Sequence, residues 1–166
     1  KLSKINTVKL DTDKLSVSKE AKKRGSGYLN VALFGVDSRD NDLDKGTRSD
    51  TIMIASLNKK TMKVKIASIY RDTLSEQEDG TLNKINAAYS YGAPEGALSV
   101  LNKNLDMNIE HYVTVNFNSM IDIVDSVGGI DIDVQEDEVP YICGYVQEIM
   151  KVTGKLSPGV TEPGTQ

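Results

Sequence analysis

Tryptophan is absent from the 166 residues, and cysteine and histidine occur once each, as Cys143 and His111. A single cysteine excludes an internal disulfide and a cysteine-rich zinc site. A single histidine argues against a His-based catalytic triad and against a metal site built from several imidazoles. Aromatic contacts rest on seven tyrosines and two phenylalanines. No apolar run approaches the roughly 20 residues that a bilayer-spanning helix needs, and the N-terminus carries no signal-peptide core. Excess positive charge is missing too. The net charge of −4 supplies no global field for nucleic acid, and no helix-turn-helix signature is visible. No nucleic-acid partner is expected, and any phosphate chemistry must come from local arginines.

What is present has a globular character. Hydrophobic residues make up 39% and charged residues 27%, unlike a disordered chain, and the length suits one domain with a sizeable core. The chain starts at Lys1 without Met and stops in "SPGVTEPGTQ". Both ends read as cut, so an anchor ahead of Lys1 is compatible with the composition.

Residues 1–27 are polar and read as an N-terminal linker with a short strand in "TVKLDTDKLSV", then a basic loop or short helix in "SKEAKKRGSG". From Tyr28 the pattern sharpens. "YLNVALFGV" (Tyr28–Val36) is a buried strand with apolar residues on both faces. "DTIMIASLN" (Asp50–Asn58) and "KVKIASIY" (Lys63–Tyr70) are two more, joined by a hairpin-type turn and therefore antiparallel. "INAAYSYG" (Ile85–Gly92) is a short helix stopped by glycine. "PEGALSVLNKNL" begins a second helix with Pro94 in its first turn and sets Ala97, Leu98, Leu101 and Leu105 on one face. "IEHYVTVNF" (Ile109–Phe117) is a strand. "FNSMIDIVDSVGG" has helical spacing and a glycine stop. "GIDIDVQ" alternates as a half-exposed strand, and "CGYVQEIMKVTG" could form a helix. This order predicts an α/β fold: a three-layer arrangement with a mixed central sheet and helices on both faces.

The connection between the first two core strands is unusual. From Asp37 to Asp50 it holds five aspartates, two arginines and one lysine in fourteen residues. Three charged clusters fall at strand ends, where α/β folds build sites: Asp37-Ser38-Arg39, Arg48-Ser49-Asp50 and Arg71-Asp72-Thr73. An antiparallel pair sets the end of one strand beside the start of the next, so Asp37 and Asp50 can face one site. Two such carboxylates repel unless a cation lies between them, and Mg2+ or Mn2+ suits oxygen ligands while retaining substrate phosphates. Arg39, Arg48 and Arg71 can clamp anionic oxygens, guanidinium geometry matching phosphate. Metal with arginines is the recurring kit of phosphoryl transfer. The plainer reading is surface ion pairing, worth about 0–1 kcal/mol per pair, and for Asp40, Asp42 and Asp44 a solvated loop.

The motifs "VALFGVDSRD", "RSDTIMIASLN", "VKIASIYRDTL", "KINAAYSYG" and "ALSVLNKNLDMNIEHYVTVNFNSMIDIVDSVGGIDIDV", in this order and spacing, resemble the LytR–CpsA–Psr family of bacterial cell-envelope proteins. The resemblance covers about Tyr28 to Val134. It implies a metal-dependent phosphotransferase that moves a glycopolymer, of wall teichoic acid or capsular polysaccharide type, from polyprenyl pyrophosphate to a peptidoglycan acceptor. By that resemblance Asp37 and Asp50 are the Mg2+-associated carboxylates, and Arg48 and Arg71 contact the lipid pyrophosphate. Arg39, Lys84 and Asn86 join the phosphate site, and Asp72 braces a neighbouring arginine or backbone. Residues 28–166 would be a partial catalytic domain. Action at the extracytoplasmic face of the membrane, with an N-terminal transmembrane anchor ahead of this sequence, is implied as well. A polyprenyl tail needs an apolar tunnel, which Ala97–Leu105 and Phe117–Val127 could line, although such stripes suit plain core equally. Two alternatives belong to other classes: a polyprenyl-phosphate-binding module without turnover, and an envelope-related regulator. The sequence departs from the family where Ala93 follows Gly92, a place where two glycines are usual. "GVTEPGTQ" resembles the lead-in to a family segment that carries further arginines.

Overall fold

The computed structural model describes residues 7–38, 46–154 and 162–165. They form two compact units, Lys1–Asn116 and Phe117–Gln166.

The first unit is built on a four-stranded sheet of β1 (Tyr28–Val36), β2 (Ser49–Asn58), β3 (Val64–Ile69) and β6 (His111–Val115), in the order β3-β2-β1-β6. β1 and β2 run antiparallel, as do β2 and β3, whereas β1 and β6 are parallel. The sheet is therefore mixed and the class α/β, as the order of patterns predicts. The turn between β2 and β3 closes on Asn58, whose Oδ1 accepts from the amides of Lys60 at 3.0 Å and Thr61 at 2.9 Å, a side-chain mimic of a backbone turn.

One sheet face is dry. Ala32, Phe34, Ile52 and Ile54 lie on it in register and are buried. They pack with Tyr89, Leu98 and Leu101 of α2 (Ala87–Leu105) and with Leu15 and Ile109. Ala97, Leu98 and Leu101 are thus core residues, while Leu105 is partly exposed. Tyr89 stacks edge-on against Phe34, ring centroids 5.3 Å apart, and its hydroxyl meets Thr114 Oγ1 at 3.1 Å. The opposite face carries Val31, Leu33, Met53 and Ala55, all half-buried, and the exposed Val64, Ile66 and Val113.

α2 is two helical segments broken at Ala93, whose angles are φ 52° and ψ −157°. The expected pair of helices, with Pro94 opening the second, is what forms. Proline disfavours α geometry in the residue before it. Gly96 lets the segments come close: a Cβ there would lie 3.3 Å from the Ala88 carbonyl oxygen.

The N-terminal stretch differs from the expected linker with a strand. Thr12–Lys14 is a 3-10 turn and Lys19–Gly25 is helix α1. Leu15 is fully buried in the core, which ties this stretch to the first unit. Asn102 holds it there: Nδ2 donates to the Leu15 carbonyl at 2.9 Å and to the Ile109 carbonyl at 3.0 Å, and Oδ1 accepts from the Ile109 amide at 2.8 Å. Ser18 caps α1 through the Ala21 amide at 2.9 Å. The last turn of α1 is basic, and Arg24 pairs with the Asp106 carboxylate at the end of α2.

A short hairpin, β4 (Leu74–Glu76) and β5 (Leu82–Lys84), packs beside α2. The sequence reading missed it, although Asp79-Gly80 is a strong hairpin dipeptide. Gly80 takes φ 82°, and the Gln77 amide donates to the Thr81 carbonyl at 2.8 Å.

The second unit holds α3 (Phe117–Val127), α4 (Val139–Thr153) and a two-residue pair of β7 (Asp133–Val134) with β8 (Gly164–Thr165). α3 stops at Gly128 and Gly129, both at positive φ. The expected strand "GIDIDVQ" shrinks to Asp133–Val134, because only these two residues find a ladder partner among the described residues. Alternation marks a half-buried surface, but a strand also needs hydrogen-bonding neighbours.

Candidate active site at the strand ends

β1 and β2 pair without interruption from Tyr28–Asn58 to Gly35–Thr51, and then Val36 pairs with Ser49. Asp50 is the extra residue of a β-bulge. Bulges re-aim side chains and are common beside active sites. Asp37 follows Val36 directly, so both carboxylates sit at the same end of the β1–β2 pair, as the strand arithmetic predicts. Arg39 lies outside the described residues, as do Asp40, Asp42 and Asp44.

β3 brings the next charge. Its register sets Ile69 opposite Ile52, and two more residues along each strand place Arg71 beside Asp50. Arg71 donates to Asp50 Oδ1 at 2.5 Å, with both side chains about half exposed. Beyond β3 the chain doubles back. The Ile85 amide donates to the Thr73 carbonyl at 2.8 Å and the Asn86 amide to the Arg71 carbonyl at 3.3 Å. These bonds fix the "KIN" segment against the Arg71–Thr73 turn. Lys84 Nζ lies 2.6 Å from Asp72 Oδ1. The hydrogen bond from Lys84, with the positive charges of Lys84 and Arg71, holds the Asp72 carboxyl below its ordinary value. Asp72 is a brace, as expected, but its partner is a lysine rather than an arginine.

The expected residues therefore come together in part. Asp50, Arg71, Asp72, Lys84 and Asn86 form one connected group, with Asp37 and Arg48 on the adjoining strand ends. Arg48 and Asp37 are exposed and have no ion-pair partner among the described residues. Asn86 is only 4% exposed, its Oδ1 has no partner, and no acceptor among the described residues takes its Nδ2 protons. Such an amide can donate to an anion at no cost in internal hydrogen bonds. Ser49 is the residue that sequence reasoning passed over. It is fully buried between Arg48 and Asp50, and its Oγ has no partner. Its position inside a charged triplet at a strand start was the available signal.

Chemically, this is a surface for anionic oxygens. Each carboxylate orients a cation, and half-exposed ion pairs are weak, about 0–1 kcal/mol, so a phosphate can take over Arg71 or Lys84 without a large penalty. Two carboxylates at one strand end also match a magnesium donor set, since that ion is held by one or two carboxylates together with substrate phosphates. No larger cluster of His, Cys, Asp or Glu fit for a metal occurs among the described residues. Of the two helices that could line an apolar tunnel or serve as plain core, α2 is core, and α3 has no buried residue.

Comparison with known proteins agrees with the motifs. The chain is 38% identical over 126 residues to the polyisoprenyl-teichoic acid–peptidoglycan teichoic acid transferase TagU of Bacillus cereus (strain AH820), covering 75% of this chain and 40% of that protein. Among solved structures it is similar to TagV of B. subtilis, with TM-score 0.57, 34% identity, and 64% of this chain and 43% of the other covered. It is also similar to the LytR-CPS2A-psr family protein YwtF (TagT) with bound octaprenyl pyrophosphate lipid, with TM-score 0.60, 25% identity, and 97% and 55% covered. The chain thus spans about 40% of the length of the curated relative and about half of the solved ones. The model of the LytR_cpsA_psr family matches residues 1–160, and the chain belongs to the LytR–CpsA–Psr family.

Proposed function

We propose that this chain is part of a transferase that moves a glycopolymer from a polyprenyl pyrophosphate to peptidoglycan. The observation that carries the reading is the linked group Asp50–Arg71 and Asp72–Lys84, with the unpaired amide of Asn86 beside it. TagT, a solved relative, holds octaprenyl pyrophosphate. The half-exposed apolar sheet face of Val31, Leu33, Met53 and Ala55 leads toward the same strand ends and suits an isoprenoid tail. In the proposed reaction a sugar hydroxyl oxygen bonds to the phosphorus that carries the glycan. The bond from that phosphorus to the bridging oxygen breaks, and polyprenyl phosphate leaves with the electron pair. The hydroxyl proton passes to water. Arg71, Lys84 and Arg48 bind the phosphates and offset the charge that grows on the leaving group, Arg39 belongs to the same set, and Asn86 orients an oxygen. Asp37 and Asp50 would hold a Mg2+ or Mn2+, which supplies further charge neutralisation at the phosphates.

A donor-binding module without turnover is the second reading. It is favoured by the neutralisation of Arg71 and Lys84 by carboxylates, which leaves Arg48 as the cation of this group without an ion pair among the described residues. We place either activity at the extracytoplasmic membrane face, where a lipid-linked donor and peptidoglycan meet, with an anchor ahead of Lys1. No helix of the described residues is long and apolar enough to cross a membrane.

The test is titration of a short-chain polyprenyl pyrophosphate with and without Mg2+, following bound lipid and released polyprenyl phosphate in the presence of glycan acceptor. Binding that Arg71→Ala weakens by about 1.5–3 kcal/mol, the worth of a charge-assisted hydrogen bond, supports the site, provided circular dichroism is unchanged. Unaltered affinity in that variant would remove Arg71 from it. Release separates the transferase from the holding module.

A further inference from the structure

The end of the sheet away from the candidate site carries a second concentration of charge, and there it is of one sign. The turn from β2 to β3, residues 58–63, and the start of β3 hold Lys59, Lys60, Lys63 and Lys65, with no acid between them. All four are exposed, and none has an ion pair among the described residues. The Lys59 amide donates to the Gly27 carbonyl at 3.0 Å, which sets the turn against the segment that follows α1. The last turn of α1 adds Lys22, Lys23 and Arg24. Lys22 pairs with Glu110 and Arg24 with Asp106, whereas Lys23 has no ion pair among the described residues. Glu20 is the sole acid of α1. In a chain whose net charge is −4, this excess of cations is a local field. It lies at the Tyr28–Asn58 end of the β1–β2 pair, whereas the candidate site lies at the Val36–Ser49 end, roughly 25 Å away by strand rise.

Apolar side chains are interleaved with these lysines. Met62, Val64 and Ile66 are 69%, 57% and 64% exposed. Tyr28, opposite Asn58 in register, is exposed as well. Met62 stands in the turn at φ 56°, a left-handed placement that glycine adopts freely and a bulky L-residue does not. Turn formation alone gives no reason for methionine there, whereas an apolar contact outside the chain does. A soluble polyanion would neutralise the lysines and leave Met62, Val64 and Ile66 in water. An anionic bilayer satisfies both sets: ammonium groups meet the headgroup phosphates, apolar side chains enter the headgroup–acyl boundary, and tyrosine suits that interface. We propose that this end of the sheet, the β2–β3 turn with the last turn of α1, docks on the surface of an anionic lipid bilayer. The inference rests on these residues alone and is independent of the transferase reading.

The experiment is co-sedimentation of the 166-residue chain with vesicles of pure phosphatidylcholine and with vesicles of phosphatidylcholine and phosphatidylglycerol in equal parts. Binding is expected to the mixed vesicles alone and should weaken as salt screens the lysines. A lysine near an anionic surface is worth about fivefold in partitioning, so the double variant Lys60→Gln/Lys63→Gln should bind roughly 25-fold more weakly. Met62→Gly should weaken binding by about tenfold through the lost apolar contact. Its melting temperature should equal or exceed that of wild type, because glycine relieves the left-handed strain; a methionine needed only for the fold would lower it. Equal binding to both vesicle types, or wild-type binding by either variant, would overturn the proposal. So would two outcomes without vesicle binding: capture of soluble polyphosphate, which assigns the lysines to a polyanion, and a dimer in sedimentation velocity that Met62→Gly dissociates, which assigns the apolar tip to a second copy.

Discussion

Ala93 occupies a backbone conformation that L-residues avoid. At φ 52° and ψ −157° it lies near a region that is essentially reserved for glycine, and such placements cost about 1–3 kcal/mol. Replacing it by glycine removes the clash of Cβ with the backbone. Glycine also gains freedom in the unfolded chain, which costs about 0.4–1 kcal/mol. The difference favours Ala93→Gly by about 1 kcal/mol. For a chain of this length that corresponds to roughly 2–4 °C in melting temperature. Urea unfolding followed by circular dichroism and tyrosine fluorescence measures it directly. With a urea slope of about 2 kcal/mol/M, the midpoint rises by around half a molar. Ala97→Gly is the control: Ala97 lies inside the second helical segment at ordinary helical angles and is buried, so the same exchange destabilises by about 1 kcal/mol. Opposite signs at the two positions are the expected result. Loss of stability in both would refute the strain assigned to Ala93.

Asn102→Ala strands three buried backbone groups, the Leu15 carbonyl and the Ile109 amide and carbonyl, and should cost about 2–5 kcal/mol, within the range of several unsatisfied hydrogen bonds; equilibrium unfolding measures it, and hydrogen exchange should show Leu15 released from the core. Lys84→Met removes the hydrogen bond that makes Asp72 more acidic, so the Asp72 midpoint in a carbon-detected NMR titration should rise toward the ordinary value. The sign follows from linkage. A lowered folded-state value contributes stability above the unfolded value, near pH 4, and that contribution is lost as pH falls through the folded value. Wild type should therefore lose more stability than Lys84→Met on acidification through that window.

The candidate site was partly legible in one dimension. Asp37, Arg48, Asp50 and Arg71 could be brought to one region because antiparallel strands juxtapose ends with starts, and that needs only strand boundaries. Lys84 and Asn86 entered through the family resemblance, and the backbone bonds from Ile85 and Asn86 to Thr73 and Arg71 explain their nearness. Ser49 was invisible because an unpaired hydroxyl is a fact about its surroundings. The β4–β5 hairpin was missed because its strands are three residues long, too short to show a period.

By itself the sequence determined the local elements with strong periodicity: β1 to β3, the α2 segments around Ala93 and Pro94, and α3 with its glycine stop. Each follows from steric limits and apolar spacing within about a dozen residues. Only the tertiary structure decided the rest. Leu15 becomes core because Asn102 and Ile109 fold over it, the "GIDIDVQ" strand shrinks because most of it has no ladder partner among the described residues, and Asp50 meets Arg71 because a bulge and a register bring them together. These outcomes depend on partners 21 to 87 residues away, and a one-dimensional pattern carries no information about which distant group will satisfy a given hydrogen bond.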